Sequence, residues 1–259
     1  FLFLSGDGME ISVNKKGLRN FWRNRIMTAW IPYAAAEIIG MIFGVLPKYT
    51  QLSALAIIKD LLLIKPLHPF GWYMQCLFLY YIGFYLAHKL FGSKKACRYV
   101  VLLVVSALQF VFLRSLFKQQ AFTFIFGMLA ADSVKLREKV IQKPACGVLL
   151  LLSGAGCLLI RQMLFVQDFS WVYDLVYAVQ VLMLTTGAVN IVGWLCTKIK
   201  PMLFESALYL GLISFEIYLY HGWIYNWLFG WPVSYLIITV FFLGSVIIAI
   251  PIYLTRSKL

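Results

Sequence analysis

The sequence predicts an all-α, polytopic transmembrane helical bundle of about eight full spans after a partial first one. Three observations predict it. Hydrophobic residues make up 62% of the 259 and charged residues 13%, with a mean hydropathy of +0.85; a soluble domain is nearer half and a quarter. The apolar residues fall into runs close to the ~20 that cross a bilayer. Lysine and arginine gather in alternate gaps between those runs, 17 of the 23 on one side.

The runs can be taken in order. The chain opens at Phe1 in FLFLSG, with no basic segment ahead of it and no cleavage pattern, and reads as if cut inside a helix. A missing N-terminal segment is therefore expected. This partial span covers 1–9 and includes a Ser5–Gly6 turn. Further spans are read at 26–46, 70–88, 99–114, 120–133, 145–160, 172–196, 207–229 and 232–254. Most are apolar on all sides, as helices in lipid are. The 120–133 run is short for a crossing, so a tilt or help from its neighbours is expected. The 47–69 gap holds an apolar stretch, Leu52–Ile64, broken by Lys59 and Asp60, which reads as an interfacial or re-entrant segment. No repeat, low-complexity tract or long linker interrupts the chain, so residues 1–259 read as a single domain.

Orientation follows from the cations. One set of gaps holds Lys15, Lys16, Arg19, Arg23 and Arg25, then Lys89, Lys94, Lys95 and Arg98, then Lys135, Arg137, Lys139 and Lys143, then Lys198 and Lys200, then Arg256 and Lys258. The other set holds only Lys48, Lys59, Lys65, Arg114, Lys118 and Arg161. The bias keeps its sense through every span, which places the first set and the C-terminus in the cytoplasm of a cell membrane crossed many times. Trp72, Tyr73, Trp171, Tyr173, Trp227 and Trp231 fall at outer boundaries, as an aromatic belt would.

Composition also excludes classes. The net charge of +13 is dispersed between spans and forms no stripe, which argues against a nucleic-acid partner. Cys76, Cys97, Cys146, Cys157 and Cys196 have no CxxC spacing and no histidine pairing, so they read as small apolar fillers and no metal site is expected. No GxGxxG, Walker, HExxH or GxSxG pattern occurs.

Ionisable groups inside lipid are costly and mark function by default. Here they are Glu37, Asp174, Glu216 and His221, with Arg25 at an inner helix mouth. His221 lies fourteen residues beyond Ala207, about 21 Å along its helix and past the bilayer centre toward the outer side. At ~100° per residue, Gly211, Ser214, Tyr218, His221 and Tyr225 share one stripe, which suits either a wet cavity or a helix partner. Glu216 sits on a different face, so any acid partner of His221 comes from another span; Glu37 is the candidate set beside it as catalytic. Arg19, Arg23 and Arg25 precede a span in LRNFWRNRIMTAWIPY. Arginine forks suit phosphate oxygens, and the same spacing also serves plain cytoplasmic anchoring against head groups. His68 and His88 look like loop and boundary residues.

Four segments, in order, resemble the acyltransferase-3 family of multi-span membrane O-acyltransferases. FLFLSGDGM (1–9) is similar to the family's FFxxSGYGL-type segment. LRNFWRNRIMTAWIPY (18–33) resembles its RRxxRIxPxY-type run at Arg23, Arg25, Ile26, Pro32 and Tyr33. GWYMQCLFLYYIGFYL (71–86) is like its WYL-type span, and LGLISFEIYLYHGWI (210–224) is like its G-x-ISYxIYLxH segment. The resemblance spans essentially the whole chain. It implies transfer of an acyl group, often acetyl, from acyl-CoA as co-substrate, with no permanently bound cofactor, onto a hydroxyl of a cell-surface carbohydrate or similar acceptor. It implies Arg23 and Arg25 as coenzyme contacts and Trp72, Tyr73, Ser214, Tyr218 and His221 as cavity residues, in a bacterial-type inner membrane.

Two departures stand out. The family's first span, with its main proposed catalytic histidine, would precede Phe1, and Asp7 stands beside the Ser5–Gly6 turn where an aromatic is common. A fragment whose missing span supplies the base is the favoured reading. The alternatives are an inactive remnant and a transporter or flippase of a lipid-linked or small substrate, whose polar stripe would line a path.

Overall fold

The structure, a computed structural model, describes residues 1–42, 53–67, 71–112, 115–133, 143–163, 169–198, 209, 211, 213–228 and 235–256. Regular structure among them is helical, with no strand. The helices are α1 (Leu2–Lys16), α2 (Phe21–Arg25), α3 (Ile31–Ile42), α4 (Ala54–Leu61), α5 (Trp72–Phe91), α6 (Lys95–Phe112), α7 (Ser115–Lys118), α8 (Thr123–Asp132), α9 (Pro144–Arg161), α10 (Ser170–Cys196), α11 (Ser214–Leu228) and α12 (Tyr235–Arg256). A π-helical turn, Ile26–Trp30, joins α2 to α3.

Among the described residues α6, α9 and α10 are each long and apolar enough to cross a membrane. The other predicted spans overlap helices whose described residues do not reach that mark. In α5 the cause is composition: Tyr, Gln, His and Lys lower the hydropathy of an otherwise full-length, 20-residue helix. In α8 it is length, since its 10 residues rise only about 15 Å.

The chain forms two compact units, Phe1–Arg19 with Cys76–Ile199, and Asn20–Gln75 with Lys200–Leu259.

In the first unit the expected Ser5–Gly6 turn is replaced by helix, because α1 runs unbroken from Leu2 to Lys16. Gly6 serves contact rather than bending. A Cβ built there would lie 2.1 Å from the Phe124 carbonyl oxygen, and one on Gly127 would lie 1.9 Å from that of Phe3. α1 and α8 therefore meet backbone to backbone, the arrangement that small residues permit between helices in lipid. The α9–α10 pair is built alike: a Cβ on Gly147 would lie 2.2 Å from Asn190 Oδ1, and one on Gly154 2.7 Å from the Leu184 side chain. Around them Tyr80, Phe84, Phe124 and Met128 are fully buried, with the Tyr80 and Phe124 rings stacked at 4.6 Å. Asp174 is buried and accepts a hydrogen bond from Lys118 Nζ at 2.7 Å. Among the candidate carboxylates it is thus salt-bridged, and Arg161 covers the Tyr177 ring at 3.8 Å.

In the second unit α2, the wide turn and α3 follow without a break. Pro32, near the start of α3, has no N–H for the carbonyl four residues back, and the π turn lies immediately ahead of it. The 54–67 segment is tied down by specific bonds. Ser53 caps α4 by accepting from the Ala56 N–H. Trp30 Nε1 donates to the Leu61 carbonyl at 2.8 Å, and Gln75 Nε2 donates to those of Leu63 and Ile64. Buried Asp60 accepts from Tyr33 Oη and from the Leu67 N–H, both at 2.9 Å. Burial holds its carboxyl above the ordinary 3.8, the two hydrogen bonds opposing the shift. On the far side of α3, the Trp223 indole closes on Gly40, whose added Cβ would meet it at 3.4 Å.

Candidate functional site

Two polar arrangements emerge, one in each unit. The second unit holds the residues the sequence assigns to catalysis, coenzyme and acceptor, while Asp174 lies in the first. Arg23 is exposed on α2, while Arg25, half-buried, lays its guanidinium over the Phe21 ring at 5.7 Å. One helical segment then carries the chain through the π turn to Tyr33 and Glu37, both buried. Wide turns of this kind re-aim the residues on either side of them.

Glu37 and Tyr218 line one small cavity of about 10 Å³, closed by Tyr33, Ala36, Gly71, Met74 and Leu219. That volume accommodates about one water. The Tyr73 ring meets Tyr218 edge-on at 4.8 Å, and Trp72 meets Tyr73 at 6.2 Å. His221, one turn further along α11, has its ring 5.6 Å from that of Tyr218. The structure thus brings Glu37, Tyr73 and Tyr218 together, with Trp72 and His221 as ring neighbours, while His221 is not among the cavity's described walls.

On α11 the Ser214 and His221 side chains each contact a backbone carbonyl three residues back. Ser214 Oγ donates to the Gly211 carbonyl at 2.6 Å, and His221 Nδ1 faces the Tyr218 carbonyl at 2.5 Å. A carbonyl can only accept, so Nδ1 is the donor in this contact. The Tyr225 side chain and all of His68 lie outside the described residues.

The first unit holds an arrangement the sequence did not reveal. Glu10 on α1, His88 on α5 and Arg98 on α6 are all buried and converge. Arg98 Nη1 donates to Glu10 Oε1 at 3.0 Å and contacts His88 Nε2. His88 Nε2 lies 3.1 Å from Glu10 Oε2, and its Nδ1 lies 3.0 Å from the Phe84 carbonyl. At its edge Asp132 accepts from Lys95 Nζ at 2.8 Å and from Tyr99 Oη at 2.9 Å. Three buried ionisable side chains from three helices are expensive in lipid unless they pair, and these pair through Arg98 Nη1 and His88 Nε2 on Glu10, leaving the Arg98 Nε–H without an acceptor. His88 is thus buried in a polar cluster. Beside the cluster opens a cavity of about 440 Å³ lined by Val13, Asn14, Gly17, Leu18, His88, Gly92, Ser93, Lys95 and Arg98. No group of three or more His, Cys, Asp or Glu suited to a metal ion occurs among the described residues.

The sequence held one signal for this site. Glu10 is an acid at the end of an apolar run, just past the bound set for the first span. Its partner Arg98 stands 88 positions away, a separation at which no periodicity argument operates.

Comparison with known proteins adds one result. The acyltransferase-3 family profile, described as an acyltransferase domain, matches residues 1–256. No curated protein and no solved structure matches the chain.

Proposed function

The chain belongs to the acyltransferase-3 family, and from that premise we propose a membrane O-acyltransferase that moves an acyl group, acetyl in the simplest case, from acyl-CoA to a hydroxyl of a cell-surface carbohydrate or similar acceptor. The single observation that carries the reading is a family match running through nearly every residue of the chain. The helical, apolar build agrees with a membrane setting.

The chemistry assigned to the residues is as follows. The acceptor oxygen attacks the thioester carbonyl, its proton leaves to a base, the C–S bond breaks, and the CoA thiolate takes up a proton as it departs. His221 is the proposed base, its ring oriented by the contact of Nδ1 with the Tyr218 carbonyl. Glu37 is the proposed second catalytic group, stabilising charge in the small cavity it shares with Tyr218. Trp72, Tyr73, Ser214 and Tyr218 form the proposed acceptor wall, where aromatic faces suit a sugar ring. Arg23 and Arg25 are proposed to hold the phosphates of the donor. The proposal sets the protein across a bacterial-type cell membrane by eight full crossings, with the basic loops and the C-terminus cytoplasmic.

The test is transfer of label from [¹⁴C]acetyl-CoA to a panel of hydroxyl acceptors by the purified chain in proteoliposomes. Labelled acceptor is the expected result. Intact, folded protein that labels nothing across the panel, yet moves a lipid-linked sugar between leaflets, would replace the enzyme with a transporter.

A further inference from the structure

The cavity at Glu10, His88 and Arg98 is not used by the reaction scheme above, and its construction points to a ligand. We infer that it is a second anion site, one that binds the phosphate group of a phosphorylated small molecule or of an anionic lipid head group. Four features support this.

The first is charge. The segments 13–19 and 88–98 supply all of the described walls, and together they carry seven lysines and arginines and no aspartate or glutamate. The two nearby carboxylates are already engaged, Glu10 with Arg98 and Asp132 with Lys95 and Tyr99. The second is preorganisation. Glu10 fixes one end of the Arg98 fork at 3.0 Å, while the buried Arg98 Nε–H has no protein acceptor. A buried guanidinium N–H left without an acceptor is costly, and a phosphate oxygen is the acceptor it fits best.

The third is the start of α6. Lys95 is its first residue, Ser93 lies just before it, and an 18-residue helix presents its positive end here. The fourth is room. About 440 Å³ lies within the range of small-molecule sites. Gly17 and Gly92, both with positive φ (65° and 48°), have no heavy atom within 4 Å of an added Cβ, so the lip of the cavity stays open. The site is separate in sequence from Arg23 and Arg25, and binding is measured without turnover, so it does not depend on the transferase reading.

The experiment measures equilibrium binding of adenosine 3′,5′-bisphosphate to the full chain in phosphatidylcholine nanodiscs. Co-purification of phosphatidylglycerol from mixed discs is measured in parallel. Lys95→Gln should weaken binding about threefold, as expected of an exposed cation. Arg98→Gln combined with Glu10→Gln, which leaves no buried charge unpaired, should weaken it about tenfold. Saturable, variant-sensitive binding of the bisphosphate assigns the site to a soluble phosphorylated ligand. Variant-sensitive retention of phosphatidylglycerol without it assigns the site to a lipid head group. Either result supports the inference. It is overturned if neither ligand binds, or if binding is unchanged in both Lys95→Gln and the double variant. Binding with these sensitivities in a chain that transfers no acyl group would sink the transferase and leave the anion site standing.

Discussion

The Glu10–Arg98 pair offers the sharpest test of the packing argument. Its two side chains are 0% and 5% exposed and meet at 3.0 Å. With charge centres ~4 Å apart and an effective dielectric of ~20, their attraction is about 4 kcal/mol. Removing either partner alone leaves the other charge buried, at a cost of about 3–5 kcal/mol. For a chain of this size, each kcal/mol moves Tm by roughly 2–4 °C. Glu10→Ala and Arg98→Ala should therefore each lower Tm by about 6–20 °C. The double variant Glu10→Ala/Arg98→Ala creates no lone charge, so its loss should fall well short of the sum of the two. The assay is scanning fluorimetry of all four proteins in one detergent, read as a double-mutant cycle. Coupling of about 3 kcal/mol is expected. If the single losses add to within ~0.5 kcal/mol, the two groups are not paired in the protein and the reasoning fails.

Further predictions rest on single sites. Gly127→Ala should destabilise by about 1–3 kcal/mol or more, because its Cβ would sit 1.9 Å from the Phe3 carbonyl oxygen. Gly8→Ala, two residues from Gly6 on the same helix with nothing within 4 Å, should stabilise by up to ~1 kcal/mol; thermal melts of both check the contrast. Asp60→Ala should cost about 1–3 kcal/mol by orphaning the Tyr33 hydroxyl and the Leu67 N–H. Asp60→Asn keeps an acceptor for both and should be far milder. Because burial raises the Asp60 carboxyl above 3.8, its contribution to stability is complete below that value and declines as pH rises through the raised folded value. Asp60→Asn should flatten that decline in melts taken from acid to neutral pH. His221→Ala should lower acyl transfer by about 10²–10⁴-fold with little change in Tm, and full activity in that variant would remove it from the site.

Much of the fold was legible because lipid imposes a simple rule on composition. The runs read at 145–160 and 172–196 differ by one or two residues at most ends from α9 and α10, since apolar length and loop charge define such helices completely. The rule failed where helix continued out of the apolar run. α1 extends through Glu10–Lys16, a polar stretch whose helical form depends on tertiary contact rather than hydropathy. Gly6 likewise reads as a turn in sequence and serves as a contact point in space, a distinction that exists only once Phe124 is opposite it. Of the site, the α11 stripe was legible from 3.6-residue periodicity, and the structure adds Tyr73 against Tyr218 and Glu37 beside it. The Glu10–His88–Arg98 cluster was not legible, because the argument from alternating charge takes Arg98 as a topology signal and stops there.

The wide turn at Ile26–Trp30 absorbs one residue more than a regular helix needs while the helix on either side keeps nearly one phase. Excising one position such as Thr28 therefore lets the ladder close with ordinary spacing and leaves Arg23 and Arg25 aimed almost as before relative to Glu37. A one-codon deletion thereby separates the local widening of the helix from the placing of these cations.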